Sequence, residues 1–326
     1  MIETKPCTPS ALNVTLLKGG TSGEREISLM SGAACAKALA EEGFAVTEVD
    51  TGEPDMIEQI IASKPDAVFI ALHGRDGEDG RIQGLCELLR VPYTGPGVLA
   101  SALAMDKARS KVFYRAHGVP TPPSLAITRG QGYSLEQIAQ EVGQKVVVKP
   151  ADEGSALGVA IEETPQGIAQ AIEAELASYE NVIVERYVAG TEVTVAVLGG
   201  KKPEALPVIE IVPWEASAFY DFEAKYAPGG ATHIIPARIS DALTQCCQQA
   251  AVAAHEALGC WGVSRSDMII DEAGECWVLE TNTIPGMTET SLLPHTAASV
   301  GIEFGPLCRI LVELGIERFE EEHLQG

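Results

Sequence analysis

The N-terminal part of the chain alternates short, mostly apolar segments with longer amphipathic ones. Segments 13–17, 45–50 and 67–72 predict strands, and segments 22–42 and 54–63 between them predict helices. The last of these strands is apolar at every position, which is typical of a strand that is buried on both faces. The β-α-β-α-β order therefore predicts a parallel sheet with helices on its faces, in an α/β fold.

The middle of the chain follows a different pattern. One continuous helix is predicted over 99–117, and its basic residues are Lys107, Arg109, Lys111 and Arg115. Strands are predicted at 145–149, 158–161 and 182–185, with a helix at 164–177 and a glycine-rich loop after the first strand. Strands this close together in the sequence indicate a small antiparallel α+β unit.

The last part of the chain is predicted to contain more strands and one long helix. The strands are at 193–198, 205–212, 263–270 and 275–280, and the helix is at 240–259. Residues 214–233 are polar, aromatic and irregular. A loop of that length is unusual within a compact domain and is often functional.

Composition and charge restrict the possible partners. The length of 326 residues suggests two or three domains, and 46% hydrophobic residues are enough for a sizeable core. The formal net charge of −23 opposes broad binding to nucleic acid or an anionic membrane, although it allows a local basic pocket for one phosphate ligand. We see no apolar run that could span a membrane and no signal peptide. We therefore expect a cytoplasmic protein without nucleic-acid or membrane partners.

The eight cysteines are scattered and include no C-x-x-C pair. This spacing favours reduced thiols in the core over a disulfide framework or a zinc site.

Two common nucleotide-binding motifs are not supported. The chain contains no G-x-x-x-x-G-K-[ST], which excludes a P-loop. Residues 95–100 match G-x-G-x-x-A, but Pro96 lies inside the match and no acidic residue follows about 20 positions later to bind a ribose. We therefore do not predict a dinucleotide site.

Polar residues interrupt the two strands predicted at 263–270 and 275–280. Arg265 and Asp267 are two positions apart and share a face, and so do Glu280 and Asn282. If the two strands pair, three oxygen donors converge, and such donors suit magnesium together with phosphate oxygens. The alternative is that these are solvated polar positions on half-buried strands.

Lysines are candidates for binding phosphate. Lys149 ends a valine-rich strand and precedes the glycine-rich loop at 152–158, where its charge and the loop amides could hold a phosphate group. Lys107 and Lys225 are further candidates. Read singly, each of them also fits an ordinary surface lysine.

Glu24 follows the first strand in a glycine-rich turn. Thr21 and Glu24 have the spacing of a capping box, which would give Glu24 a purely structural role at the start of a helix. The alternative is a carboxylate that faces the ammonium group of a ligand at the mouth of the sheet.

Several longer motifs resemble the D-alanine–D-alanine ligase family, in the order of that family and from about residue 12 to about residue 315. They are KGGTSGERE (18–26), ALHG (71–74), GEDG (77–80), MDK (105–107), VKP (148–150), YDFEAKY (220–226) and LETNTIPGMT (279–288).

The resemblance implies a three-domain ATP-grasp fold. Residues 1–104 would form an N-terminal α/β domain with the first D-alanine site, 105–188 a central α+β domain, and 189–326 a C-terminal α+β domain with the metal and substrate sites. ATP would lie between the last two domains, and segment 214–233 would be a lid over the site. The implied activity is ATP-dependent synthesis of D-alanyl-D-alanine for peptidoglycan, by a cytoplasmic homodimer.

The resemblance also implies a site for ATP and metal. The implied ATP contacts are Lys107 and Lys149 on the α- and β-phosphates, Lys225 on the γ-phosphate, Glu185 and the Val188 backbone on adenine, and Glu192 on the ribose. The implied ligands for Mg²⁺ or Mn²⁺, with two ions per site, are Asp267, Glu280 and Asn282.

For the amino-acid substrates, the resemblance implies a second set of residues. Glu24 would bind the ammonium of the first D-alanine, and Ser155 would link Glu24 to Tyr226. Arg265 and the Gly286 amide would bind the oxyanion. Ser291 and the Leu292 amide would bind the carboxylate of the second D-alanine, and His73 would lie near both substrates. A tyrosine at position 226 goes with dipeptide rather than ester formation in the family. The chain departs from the family pattern at Ala156, Ser266 and Ile284.

Two other kinds of function stay open at this point. A related enzyme would make a D-alanyl ester or D-alanyl-D-serine. A protein of a different class would bind nucleotide on the same fold without catalysis, although the complete set of implied catalytic residues disfavours this.

Overall fold

The computed structural model describes residues 2–154, 158–213, 231–288 and 290–323. After a short 3₁₀ turn at Pro9–Ala11, its N-terminal part contains β1 (Asn13–Lys18), α1 (Arg25–Glu41), β2 (Ala45–Asp50), α2 (Met56–Ser63) and β3 (Ala67–Ile70). The three strands pair in parallel in the order β2-β1-β3. The predicted parallel sheet is therefore confirmed.

Helices cover both faces of this sheet. On one face, Val14 and Leu16 pack with α1 and with the last helix, α10 (Phe304–His323). On the other face, Leu17 and Val68 pack with α2 and with α3 (Arg81–Leu89). Burial on both faces explains the continuous apolar character of β3.

The prediction of a single helix over 99–117 is wrong. The structure has α4 (Val98–Met105) and α5 (Lys107–Ala116), which are separated at Asp106. Asp106 has φ −90° and ψ 97°, and its carboxylate accepts a hydrogen bond of 2.9 Å from the backbone N–H of Arg109. Asp106 therefore caps a new helix, which begins at Lys107.

The central unit is a four-stranded antiparallel sheet in the order β4-β7-β5-β6. It consists of β4 (Ser124–Thr128), β5 (Val146–Pro150), β6 (Ala160–Glu162) and β7 (Asn181–Arg186), together with α6 (Leu135–Glu141) and α7 (Pro165–Ser178). Both helices pack their apolar sides against this sheet. The predicted antiparallel α+β unit is confirmed, whereas β4 and α6 were not predicted.

The third sheet has the order β11-β10-β8-β12-β13, and β9 also pairs with β8. Its strands are β8 (Gly190–Gly199), β9 (Glu204–Ala205), β10 (Ile209–Pro213), β11 (Ala231–Ile234), β12 (Gly262–Asp271) and β13 (Cys276–Asn282). The helix α8 (Asp241–Leu258) packs on one face of the sheet, and α9 (Leu292–Ser299) precedes α10.

The strand predicted over 205–212 is divided in the structure. Residues 206–208 separate β9 from β10, and Pro207 lies in this gap. Proline has no N–H to donate to a neighbouring strand, and the Pro207 carbonyl instead accepts a hydrogen bond of 3.0 Å from Thr296.

Six of the eight cysteines are buried, as expected for core residues: Cys35, Cys86, Cys247, Cys260, Cys276 and Cys308. Among the residues that the structure describes, no helix combines the length and apolarity needed to cross a membrane.

Candidate active site

A polar cleft lies where the N-terminal loops, the start of α5 and the end of β13 meet. It encloses about 1020 Å³ of space, part of which is open to solvent. The predicted site residues that line it are Glu24, His73, Lys107, Arg265, Glu280, Asn282, Gly286, Ser291 and Leu292.

The other predicted site residues do not line this cleft. Lys149 lies on β5 and Glu185 on β7. Val188 lies in the connection between β7 and β8, Glu192 on β8, and Asp267 on β12. The predictions for Ser155, Lys225, Tyr226 and most of the 214–233 lid fall outside the described residues.

The two strands that carry the predicted metal ligands pair with each other. In the antiparallel register of β12 and β13, Asp267 is opposite Glu280 and Arg265 is opposite Asn282, with a bulge after Asp267. The pairing that the sequence left conditional is therefore confirmed.

Asp267 is buried, and both of its carboxylate oxygens accept hydrogen bonds. The Arg265 guanidinium donates to both of its carboxylate oxygens, each at 2.9 Å, and the Thr194 hydroxyl donates to Oδ1 at 2.6 Å. A two-pronged contact of this kind fixes the orientation of both side chains. It places the Arg265 charge at the floor of the cleft.

Lys107 connects the cleft to the central sheet. Its ammonium lies 3.2 Å from the Glu280 carboxylate and also donates to the Glu153 carbonyl, while its backbone N–H donates to Ala151 at 2.8 Å. The residue is the first of α5, so the helix break at Asp106 sets its position. Lys107 therefore touches both the predicted metal site and the beginning of the glycine-rich loop.

The donor atoms fit a hard divalent cation. Asp267, Glu280 and Asn282 offer only oxygen atoms, and the Asn282 side-chain oxygen is oriented by a 2.8 Å hydrogen bond from the Ile284 N–H. In the described part of the chain no group of three or more His, Cys, Asp or Glu residues could hold a metal ion. The predicted set contains only two such residues, Asp267 and Glu280. An amide oxygen would supply the third donor, and phosphate oxygens the rest.

Glu185 lies between two lysines beneath this region. Its carboxylate is ion-paired with Lys111 on one side and lies 3.2 Å from the Lys149 ammonium on the other. Burial raises the pKa of Glu185, but the two lysine charges outweigh burial and hold it below its usual value. Burial lowers the pKa of Lys149, whereas the charges of Glu185 and Glu280 raise it to a net value above the ordinary one.

The predicted capping box at Thr21 is wrong. The Thr21 hydroxyl bonds to the Asp76 carboxylate at 3.3 Å, and the Ser22 hydroxyl accepts from the Glu24 N–H at 3.2 Å. Glu24 occupies the N-cap position of α1 without capping the helix through its side chain. Its carboxylate faces the cleft, which favours the alternative of a ligand-binding role.

Two glycines approach the Glu24 carboxylate. A Cβ built on Gly74 would lie 2.6 Å from Glu24 Oε2, and one built on Gly154 would lie 3.5 Å from it. Gly74 also has φ +70°, a conformation that favours glycine. The ALHG motif and the glycine-rich loop thus meet at Glu24.

His73 is buried beside Glu24 in a hydrogen-bonded cluster. Its Nε2 lies 3.1 Å from the Ser31 hydroxyl, and its Nδ1 lies 3.6 Å from Glu78. Burial raises the pKa of Glu78 in spite of the neighbouring histidine. The Ser31 hydroxyl also accepts from the Met287 N–H at 3.4 Å, which ties this cluster to the loop after β13.

The loop after β13 folds tightly against the start of α9. The Ser291 hydroxyl accepts a 3.0 Å hydrogen bond from the Thr288 N–H, and a Cβ on Gly286 would lie 2.8 Å from the same hydroxyl. Ser291 is the N-cap residue of α9, and Leu292 is the first residue of the helix. The Leu292 amide is thus one of the donors that a helix N-terminus offers to an anion.

Glu78, Glu153 and Lys111 are charged residues of the site that received no role from the sequence. Glu78 and Glu153 line the cleft, and Lys111 is ion-paired with Glu185. The signal for Glu78 was its place in the GEDG motif, one of the motifs that resemble the family. For Lys111 the signal was its spacing of four residues from Lys107, which puts both lysines on one side of a helix.

Comparison with known proteins agrees with this geometry. The protein-family model for the D-ala D-ala ligase C-terminus matches residues 113–313, and the family model for the D-ala D-ala ligase N-terminus matches residues 51–96. A D-alanine–D-alanine ligase of Pelotomaculum thermopropionicum is 44% identical over 312 residues, covering 94% of this chain and 97% of that protein. The corresponding protein of Syntrophobacter fumaroxidans is 46% identical over 306 residues and covers 94% of this chain and 98% of its own length.

Solved structures give the same result. The D-alanine–D-alanine ligase of Bacillus anthracis, solved in complex with ATP, superimposes with a TM-score of 0.83 at 30% identity and covers 95% of this chain and 99% of its own. The ligase of Coxiella burnetii gives a TM-score of 0.82 at 27% identity, covering 96% of each chain. The predicted ATP-grasp architecture is therefore confirmed, and this chain belongs to the D-alanine–D-alanine ligase family.

Proposed function

We propose that the chain uses ATP and a divalent metal ion to join two D-alanine molecules into D-alanyl-D-alanine, for peptidoglycan precursor synthesis. The observation that most supports this is the composition of the cleft. It combines a carboxylate suited to a substrate ammonium (Glu24), two cations (Lys107 and Arg265) and the oxygen donors of β13.

The reaction proceeds in two steps. A carboxylate oxygen of the first D-alanine attacks the γ-phosphorus of ATP, and ADP leaves with the electrons of the broken P–O bond. The amine of the second D-alanine, after losing a proton, attacks the carbonyl carbon of the resulting acyl phosphate. The C–O bond then breaks, and phosphate leaves with the oxygen that came from the first D-alanine.

The residues of the cleft bind and orient the two amino acids. Glu24 pairs with the ammonium of the first D-alanine, and His73 lies next to it. Arg265 and the Gly286 amide stabilise the oxygen that becomes negative in the tetrahedral intermediate. Ser291 and the Leu292 amide bind the carboxylate of the second D-alanine.

ATP is held mainly by charge. Lys107 and Lys149 bind the α- and β-phosphates, Glu185 accepts a hydrogen bond from the adenine amino group, and Val188 and Glu192 bind the ring and the ribose. Lys225 on the 214–233 segment reaches the γ-phosphate. Tyr226 lies on the same segment, and Ser155 links it to Glu24. Positioning and neutralisation of charge supply most of the catalysis in phosphoryl transfer.

Asp267, Glu280 and Asn282 would hold Mg²⁺ or Mn²⁺, with two ions in the site. The metal would neutralise phosphate charge, which the carboxylates alone would repel. Asp267 is ion-paired with Arg265, and Glu280 is ion-paired with Lys107.

We further propose the domain division at 104/105 and 188/189, a homodimer, and a cytoplasmic location. Analytical ultracentrifugation tests the dimer directly.

The proposed activity is tested by ADP release from ATP with D-alanine, L-alanine, D-serine, or D-alanine plus D-lactate. We expect release with D-alanine, little with L-alanine, and D-alanyl-D-alanine as the main product of the last mixture. Predominant ester or D-alanyl-D-serine formation would identify one of the related enzymes. Nucleotide binding without release that depends on D-alanine would indicate a non-catalytic protein.

A further inference from the structure

Lys111 is fully buried, which is unusual for lysine, and the proposed function gives it no role. It lies on α5, one turn after Lys107, and its side chain has 0% exposure. A buried ammonium is costly unless it is paired and hydrogen-bonded. Burial lowers the pKa of Lys111 to about 8, although the Glu185 carboxylate acts in the opposite direction.

Lys111 has a second anchor besides Glu185. Its ammonium donates a hydrogen bond of 2.7 Å to the Thr121 hydroxyl, which in turn donates to the Val278 carbonyl on β13 at 2.8 Å. This chain of bonds crosses from α5 to the C-terminal sheet. Lys111 is therefore fixed in place and is enclosed by protein.

Lys149 differs from Lys111 because it is not enclosed in this way. Its side chain is 12% exposed, and the glycine-rich loop follows it directly. The two lysines share Glu185, one at each carboxylate oxygen. The proposed function assigns Lys149 to phosphate, and when its ammonium turns toward the nucleotide Glu185 keeps one cation.

We propose that Lys111 is a positioning residue that remains on Glu185 as its permanent counter-ion when Lys149 moves to the phosphates of ATP. Without it, nucleotide binding would leave a carboxylate that is 2% exposed without a cation. Removal of one partner from a buried ion pair is strongly unfavourable. This inference rests on the proposed function, because that function assigns Glu185 to adenine and Lys149 to phosphate.

The counter-ion also affects which base the site prefers. An ionised carboxylate only accepts hydrogen bonds, so Glu185 suits the amino group of adenine and disfavours the carbonyl of hypoxanthine at the same ring position. A protonated Glu185 can donate and would suit either base. By keeping Glu185 ionised, Lys111 favours ATP over inosine triphosphate.

Lys111→Met tests this role, because methionine has a similar length and no charge. We expect the Kd of ATP, measured by calorimetry, to rise about tenfold to a hundredfold, the range for a lost hydrogen bond to a charged group. We also expect the ratio of the Kd of inosine triphosphate to the Kd of ATP to fall. Lys201→Met is the control, because Lys201 is exposed and pairs at 2.9 Å with Glu321, and neither residue lines the cleft.

The double variant Lys111→Met with Glu185→Gln separates this role from a loss of folding. A neutral glutamine at position 185 needs no counter-ion, so the double variant should unfold at a higher temperature than Lys111→Met alone. Its preference between the two nucleotides should equal that of Glu185→Gln alone, because Lys111 acts only through Glu185.

The outcomes separate the two proposals. Wild-type activity with D-alanine, together with an unchanged nucleotide preference in Lys111→Met, would overturn the role of Lys111 alone. Independent, additive effects of the two substitutions on that preference would overturn it as well. Absence of ADP release that depends on D-alanine in the wild type would overturn the proposed function instead.

Discussion

Substitution of Gly74 by alanine should displace Glu24 and so weaken the binding of the first D-alanine. Gly74 follows His73 at the edge of the cleft, with φ +70°. An added Cβ would lie 2.6 Å from Glu24 Oε2 and 3.4 Å from the Ser22 side chain. The carboxylate is the group that can move, since Ser22 is held by its bond to the His73 carbonyl.

The expected effect has two parts. The left-handed conformation costs an L-residue roughly 1–2 kcal/mol, so Gly74→Ala should lower the free energy of unfolding by about that amount. Relief of the close contact requires Glu24 to move by roughly 1 Å, and a displacement of that size near reacting groups can cost about a hundredfold in rate. We therefore expect kcat/KM for D-alanine to fall about a hundredfold, while the Kd of ATP is unchanged.

Gly118→Ala is the matched control. Gly118 has φ +71°, and no atom lies within 4 Å of a Cβ added there. It therefore carries the same backbone cost without a contact to the site. ADP release at varied D-alanine concentration should separate the two variants, and equal kcat/KM values for them would refute the assignment of Glu24 to the substrate ammonium.

Three further predictions follow from the site and from the chain around it. Glu280→Gln should reduce turnover by orders of magnitude at ordinary magnesium while the fold persists, and near-normal ADP release would contradict the metal assignment. Segment 214–233 should gain protection from hydrogen exchange when an ATP analogue and D-alanine are added together, and equal exchange with and without ligands would argue against a lid. The Arg25 guanidinium, through its hydrogen bond, lowers the pKa of Asp50 to about 2. This pair therefore stabilises the fold fully above about pH 4 and loses its effect as pH falls through about 2. The decrease in unfolding temperature caused by Asp50→Asn should thus be larger at pH 6 than at pH 2, and a constant difference would count against the pair.

Elements with a clear periodicity could be predicted from the sequence. Polar residues two positions apart on β12 and β13 had to share a face, so pairing of the strands was enough to bring Asp267 and Glu280 together. The parallel sheet followed from the order of its elements. The gap at Pro207 could also have been predicted, because proline disfavours the interior of a strand.

Other features depend on contacts that the periodicity does not encode. The sequence around Asp106 suits a continuous helix, but the extended backbone of Asp106 and the bond of its carboxylate to the Arg109 N–H show that a second helix begins there. Lys111 resembles a surface lysine by composition. Its burial depends on Glu185, which lies on β7, and on Thr121, which bonds in turn to the Val278 carbonyl on β13. Charged pairs between distant elements are therefore the part of the site that sequence reasoning missed.

The central claim is that the first D-alanine is activated as an acyl phosphate. It is tested most directly with D-alanine labelled with ¹⁸O in its carboxylate, incubated with wild-type protein, ATP and magnesium. The released phosphate should contain one ¹⁸O atom for each D-alanyl-D-alanine formed, because the oxygen that attacks phosphorus leaves with the phosphate. Dipeptide formation with unlabelled phosphate would contradict this mechanism, and ADP release without dipeptide would contradict the proposed function.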